Sequence, residues 1–315
     1  MNTKHWIVFL LLGAIWSSSF LWIKIALQEV GPITLVAIRS LFGLVFCIVV
    51  IFIQKTPWPR SLRAWLPLLV LGLTNIAIPF YLISWGEQSI DSAVASVLDA
   101  TVPLFTILIA HFLLQDDKIT LPKILGLLVG FAGVMVLMMK DLFEASTSSL
   151  LGQAAVLLAS VFYAVSSVIA RKTTEDTPGI LRSGIPLIAA SAVMWPSVMF
   201  FESPVEIPQL PITWIALLWL GILGSGVAFV MAYYLIHEIG PTRMTMVTYL
   251  FPVGGVILGV VFLQEALTWQ LITGMLLVLV SLVIANWEPK RLVRQKRQKR
   301  TEQLSSSNCE GLPGD

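Results

Sequence analysis

The chain has 315 residues, of which 57% are hydrophobic and 12% are charged, with a mean hydropathy of +0.87 and a formal net charge of +2. Soluble domains carry roughly 25% charged residues, so this composition excludes an ordinary soluble globular protein. Cys47 falls inside a hydrophobic stretch and Cys309 in a polar tail, and no disulfide is predicted between them.

Ten hydrophobic stretches follow one another, each with the roughly 20 residues that a helix needs to cross a ~30 Å hydrocarbon core. They cover Ile7–Leu27, Ile33–Ile53, Ala64–Trp85, Ala93–Leu114, Leu121–Met139, Leu150–Ala170, Ile180–Phe201, Ile212–Ile236, Met244–Leu263 and Trp269–Asn286. The sequence therefore predicts an all-α membrane protein with ten transmembrane helices. The first stretch has no convincing small-residue cleavage site after it, and we interpret it as a retained helix.

The connections between these stretches alternate in charge. One set is basic and contains Lys4, Lys55, Arg60, Arg63, Lys118, Lys123, Arg171, Lys172, Arg243 and the tail. The alternate set is mainly acidic and contains Glu29, Glu87, Asp91, Asp141, Glu144, Glu202, Glu206 and Glu265. The positive-inside rule places the basic set and both termini in the cytoplasm, which is the parity that ten helices require. We therefore expect a multi-pass protein of the cytoplasmic (inner) membrane.

The tail, residues 288–315, begins with a run of lysine and arginine and ends in polar residues, glycine and proline. This composition predicts a disordered cytoplasmic segment whose basic part lies near anionic lipid. Because the basic run directly follows a hydrophobic helix, topology and lipid contact explain it, and no nucleic-acid partner is predicted.

The chain contains an internal repeat. Pro103 matches Pro252, residues 117–120 match residues 265–268, and Gly126 matches Gly274. Residues 6–140 and 150–287 are therefore interpreted as two related five-helix repeats. Because five is odd, the second repeat enters the membrane from the opposite side, and the two repeats are inverted with respect to one another.

Several sequence features combine with this repeat. The first helix contains Gly13-Ala14-Ile15-Trp16-Ser17-Ser18-Ser19-Phe20 followed by Lys24, the second contains Ala37-Ile38-Arg39, and each half has a proline followed by an acid, Thr and a glycine-rich helix. This pattern resembles the EamA-type transporters of the drug/metabolite transporter superfamily. One departure is Asp116 before Asp117, where the family more often has a single Glu. The resemblance implies a transporter of small organic solutes whose helices 1, 3, 4, 6, 8 and 9 surround a central cavity.

Three ionisable residues lie inside the predicted helices near their acidic ends. Asp99 falls about two turns inside the fourth helix, where a bare carboxylate costs several kcal/mol. We interpret it as a contact for a substrate amine or as a proton-titrating group; a structural acid is the alternative. Arg39 and Lys24 are hypothesised to pair with Asp99, although Lys24 can instead extend to the lipid headgroups.

Polar and aromatic residues in the middle of the helices are candidates for the cavity lining, because an organic solute needs aromatic faces and a few hydroxyl or amide groups. The candidates are Trp16, Ser17, Ser19, Asn75, Phe80, Asp99, Tyr163, Ser166, Ser225, Phe229, Tyr233, Thr248 and Tyr249. The alternative is that the hydroxyls join helices and the aromatic rings face lipid. The glycine pairs Gly126/Gly130 and Gly255/Gly259 predict close helix packing, within the chain or in a homodimer.

No nucleotide-binding loop, metal-ligand motif or catalytic constellation is present in the sequence, so neither an enzyme nor a cofactor or metal site is predicted. The combined reading is a secondary transporter, acting as a monomer or homodimer, that exports a small amino acid-like or drug-like metabolite by alternating access. Proton coupling through Asp99 and uncoupled facilitation both remain open. A lipid-handling, flippase-like component that acts with partners is the alternative function.

Overall fold

The computed structural model describes residues 2–114, 119–174, 177–204, 207–240, 243–244 and 246–286. Within these residues nine helices are long and apolar enough to cross a membrane, and one shorter apolar helix follows them. The ten helices are α1 Thr3–Ala26, α2 Pro32–Gln54, α3 Leu62–Gly86, α4 Ser92–Leu113, α5 Leu121–Phe143, α6 Thr147–Thr173, α7 Gly179–Phe201, α8 Pro211–Ile239, α9 Met246–Leu263 and α10 Trp269–Ala285. The prediction of an all-α membrane protein is confirmed. Asp116, Asp117 and the tail lie outside the described residues.

The packing of the helices follows an approximate twofold symmetry that exchanges α1–α5 with α6–α10. The contact of α3 with α6 has its counterpart in that of α8 with α1, and the contact of α4 with α6 in that of α9 with α1. Three further pairs, α2 with α7, α4 with α9 and α5 with α10, each join a helix to its own counterpart. Each half therefore packs its helices around the other half, as inverted repeats predict.

The helices lose regular geometry at equivalent places in the two halves. A π-helical segment covers Gly72–Ala77 in α3 and another covers Trp219–Val227 in α8. The first packs against α7 and the second against α2, so each π segment faces the opposite half. A π-helical turn pairs backbone groups five residues apart instead of four, and such turns are frequent at functional sites.

Helices α4 and α9 also change geometry at matching positions. In α4 an α-helix ends at Asp99, residues 100 and 101 form a turn, and a second α-helix begins at Val102. Pro103 lacks a backbone N–H, and the Thr101 hydroxyl donates to the Leu98 carbonyl at 2.6 Å, which together favour the break. In α9 a 3-10 turn over Met246–Tyr249 precedes the α-helix. The break in α4 places Asp99 at the end of a half-helix.

Helices α5 and α10 approach closely because glycines line their contact. A Cβ atom added to Gly274 would lie 3.0 Å from the Gly133 carbonyl oxygen, and one added to Gly133 would lie 3.0 Å from the Gly274 carbonyl oxygen. Gly126 and Gly130 of α5 face Ser281 of α10 in the same contact. This glycine pair of α5 therefore packs within the chain, one of the two uses that the sequence allowed.

We expect Gly274→Leu to destabilise the folded protein by about 1–3 kcal/mol, because the new side chain must push α5 and α10 apart. The measurement is the thermal unfolding midpoint of the purified protein in detergent. Thr273→Leu is the matched control, since Thr273 is the exposed neighbour on the same helix. Equal midpoints for the two variants would contradict the close α5–α10 contact.

Candidate functional site

Arg39 of α2 is the centre of the site. Its side chain is only 4% exposed, and its Nε donates to the Ser225 hydroxyl of α8 at 2.9 Å. Its Cζ lies 3.6 Å from the ring centroid of Phe80 of α3, a cation–π contact. Ser225 is available because its own hydroxyl proton goes to the Leu220 carbonyl of the π segment, at 3.0 Å. The two halves thus meet at one buried cation.

Aromatic rings of α1, α8 and α9 form a cluster at Gly224, a residue that lies beside this cation. The Trp16 indole N–H donates to the Gly224 carbonyl at 3.2 Å, and its ring makes edge-to-face contacts with Phe229 and Phe251, each at a centroid distance of 6.0 Å. A Cβ atom added to Gly224 would be in ordinary contact with Ser19 Oγ at 3.6 Å and Arg39 Nη2 at 3.7 Å, so Gly224 lies beside both side chains. The site therefore combines a cation, hydroxyls and aromatic faces.

Asp99 is the buried anion of the site. It ends the first segment of α4, is 6% exposed, and has an Oδ1 atom without a hydrogen-bond partner among the described residues. Tyr163 of α6 lies within electrostatic range of both Asp99 and Arg39. A buried charge without a partner is costly, and such a group marks a functional site more often than a structural one.

The hypothesised pairing of Asp99 with Arg39 or Lys24 is not present in the structure. Arg39 is held by Ser225 and Phe80, whereas the Lys24 Nζ donates to the backbone carbonyls of Glu87 at 2.5 Å and Ile90 at 2.7 Å. The carbonyls at a helix C-terminus carry a partial negative charge and lack intrahelical partners, so they attract the lysine. Lys24 accordingly does not extend to the headgroups, and Asp99 has no ion partner among the described residues.

The remaining candidates fall into separate groups. Asn75 accepts a hydrogen bond from the Ser166 hydroxyl at 2.9 Å, which joins α3 to α6. Tyr233 lies against Gly179 and Arg182 of α7, and the Tyr249 hydroxyl donates to the Leu282 carbonyl at 2.9 Å. The Ser17 hydroxyl donates to the Ala14 carbonyl of its own helix at 3.3 Å, Thr248 lies in the 3-10 turn of α9, and Tyr163 lies in α6. Tyr233 therefore contacts α7 and Tyr249 contacts α10, and neither is among the residues that contact Arg39.

The end of the bundle that holds Glu29, Glu87, Glu202 and Glu265 is called the acidic face. Carboxylates cap helices at this face, which the sequence analysis did not predict. Glu202 accepts from the backbone N–H groups of Ile33 at 2.9 Å and Thr34 at 2.7 Å, at the start of α2. Glu265 accepts from those of Ser92 at 2.7 Å and Ala93 at 2.9 Å, at the start of α4. The sequence placed these acids at the correct end but used them only to assign topology.

Glu29 completes the set of caps. Its carboxylate accepts from the backbone N–H groups of Gln209 at 3.1 Å and Leu210 at 3.0 Å, and from the Thr213 hydroxyl at 2.5 Å, at the start of α8. The hydrogen bond from Thr213, with those from the backbone, holds the pKa of Glu29 below its ordinary value. In each of the three caps, an acid from one half satisfies a helix N-terminus of the other half. The caps therefore join the two halves at the acidic face.

The inverted five-helix halves, with charged and aromatic side chains between them, define a polytopic membrane transporter. The EamA-like transporter family model matches residues 4–139 and 150–287, and the chain belongs to this family. The family's members are transporters rather than enzymes. Within the described ranges no group of three or more His, Cys, Asp or Glu side chains could hold a metal ion.

Individual relatives agree with the family match. The uncharacterized transporter YoaV of Bacillus subtilis (strain 168) is 26% identical over 271 residues, which cover 84% of this chain and 90% of YoaV. The uncharacterized inner membrane transporter YedA of Escherichia coli (strain K12) is 27% identical over 248 residues, which cover 78% of each protein. A crystal structure of a protein with 21% identity has a TM-score of 0.65 and covers 91% of this chain, which shows that the fold is shared.

We expect Arg39→Met to leave the free energy of unfolding unchanged or to raise it, because an apolar side chain of similar length removes the desolvation cost of a buried charge. Lys24→Met is the contrasting variant, since it leaves the Glu87 and Ile90 carbonyls without their donor and should lower stability by about 1–3 kcal/mol. Thermal unfolding midpoints of the purified variants measure both. An equal loss in the two variants would assign Arg39 a structural role.

Proposed function

We propose that the protein is a secondary transporter of the cytoplasmic membrane that exports a small zwitterionic, amino acid-like metabolite by alternating access. The observation that carries this proposal is the pair of opposite charges, Arg39 and Asp99, buried inside the helices without ion partners of their own among the described residues. A zwitterion supplies both missing charges at once.

The chemistry of the two residues suits the two ends of such a solute. Hydrogen bonding in the site uses only Nε of the guanidinium among the described residues, which leaves its terminal nitrogens for a substrate carboxylate. The unpartnered Asp99 oxygen suits a substrate ammonium. Trp16, Phe229 and Phe251 offer aromatic faces to the apolar part of the solute.

The inverted halves support alternating access. The caps formed by Glu29, Glu202 and Glu265 join the halves at the acidic face, so opening that face requires those hydrogen bonds to break. Each cap of this kind contributes about 1 kcal/mol, small enough for a transport cycle to break and remake it. The charge asymmetry of the loops supports an acidic face outside and both termini in the cytoplasm. Resemblance to the drug/metabolite transporter superfamily favours export as the direction.

The experiment compares metabolites released by cells that express the wild-type chain, Asp99→Asn or Arg39→Met, at equal amounts of membrane protein. We expect neutral zwitterionic compounds to accumulate selectively outside wild-type cells. Each variant should reduce that release roughly 30-fold or more, which corresponds to the ~2 kcal/mol lower limit for removing one side of a buried charged contact.

Glu144→Gln is the control, because Glu144 is an exposed acid at the acidic face and should export normally. Selective release that neither variant reduces would show that Arg39 and Asp99 do not lie on the transport pathway. Absence of any release, with folded protein in the membrane, would contradict export. Uptake and phospholipid scrambling assays on the same cells would then test import and the lipid-handling alternative.

A further inference from the structure

Glu87 is an acid of the acidic face that served only to predict topology and whose carboxylate caps no helix. It follows the last residue of α3 and is 0% exposed. Both carboxylate oxygens lack hydrogen-bond partners among the described residues. The Lys24 ammonium binds the backbone carbonyl of Glu87 rather than its carboxylate. An ionised carboxylate in this position would be a buried charge without hydrogen bonds.

The charged groups around Glu87 come from both halves of the protein at the acidic face. Lys24 of α1, Arg39 of α2, Asp99 of α4 and Glu265 between α9 and α10 lie within its electrostatic range. Helix α6 packs on the end of α3, and Tyr163, its first titratable residue in from the acidic face, is itself within range of Arg39 and Asp99. Glu87 therefore sits where the two halves meet at the acidic face.

We propose that the Glu87 carboxyl is a proton-binding site that controls the acidic face, taking up a proton from that side when the face closes and returning it when the face opens. The proposal deepens the proposed transport function and rests on it for the alternating access. The proton moves between water and Glu87 through the acidic face in both directions, so the site regulates opening and does not itself carry protons across the membrane.

The sign of the pH effect follows from burial. Desolvation raises the pKa of Glu87 well above its ordinary value in the closed form, Glu265 and Asp99 raise it further, and Lys24 and Arg39 oppose the shift. Water that enters on opening restores an ordinary carboxyl pKa. At pH values between these two pKa values, closing binds one proton. The closed form is therefore favoured as pH falls, and the ratio of closed to open protein decreases about tenfold per unit rise in pH.

The test measures opening directly. Ser92→Cys places a thiol under the Glu265 cap, where Ser92 is buried and its hydroxyl has no partner. Cys47→Ala and Cys309→Ser remove the native thiols. A membrane-impermeant maleimide is added outside cells at a series of external pH values, and the rate at which it labels Ser92→Cys is measured. This labelling rate is divided by that of Glu144→Cys, whose exposed thiol corrects for the reagent's own pH dependence.

With Glu87 present, we expect the corrected rate to rise up to tenfold per pH unit. In Glu87→Gln it should stay low and independent of pH, because the amide imitates the protonated acid. Glu87→Asp should retain a pH dependence. Glu202→Gln, which weakens a neighbouring cap, should raise the rate at every pH and keep the slope.

A corrected rate that does not depend on pH with Glu87 present, or the same slope in Glu87→Gln, would overturn the proposal. Unfolding midpoints of the variants show that each is folded. The labelling requires no substrate, so its result is separable from the release experiment. A labelling rate that depends on pH, without release of any compound, would contradict the export function and support the proton site. Release of a compound with a labelling rate that does not depend on pH would support export and contradict the proton site.

Discussion

The hydrocarbon core imposes the constraint on which the whole structure depends, because a backbone N–H or C=O group without a partner there costs several kcal/mol. Regular helices satisfy it along most of the chain. Among the described residues of the helices, irregular backbone occurs in the π segments of α3 and α8, at Ser18 of α1, at the break in α4 and in the 3-10 turn of α9. At these places side chains act as substitutes, as when Trp16 donates to Gly224 and Ser225 to Leu220.

The same constraint explains the acidic face. The first N–H groups of a helix have no intrahelical acceptor, and carboxylates are good acceptors for them. In this protein the acceptors Glu29, Glu202 and Glu265 come from the opposite half. Satisfying a local backbone requirement therefore also holds the halves together. A transporter that opens at this face must exchange those hydrogen bonds for bonds to water, which makes closure reversible.

Two charges buried inside the helices, Arg39 and Asp99, have no ion partners among the residues that the structure describes. The guanidinium of Arg39 is stabilised by an aromatic face and a hydroxyl, and these contacts do not neutralise it. Asp99 lies at the end of the first α-helical segment of α4 and forms no ion pair with Arg39. Burying both charges costs free energy that a solute with complementary charges can recover on binding. This arrangement is the structural basis of the zwitterion transport that we propose.

The sequence by itself determined the number of membrane spans, their helical structure and the internal duplication. Hydropathy over about 20 residues and charge in the loops are local properties, and they act directly on how a segment inserts into the bilayer. The sequence also predicted Arg39, Phe80 and Asp99 as candidate site residues, and the structure brings Arg39 and Phe80 into contact. Only the tertiary structure decided which groups meet. Arg39 and Ser225 are 186 residues apart, and Glu265 and Ser92 are 173 apart. Depth along a helix follows from counting residues, but the direction in which a side chain points depends on which helices pack together. For that reason the ion pair expected for Asp99 is absent, and the burial of Glu87 was not foreseen.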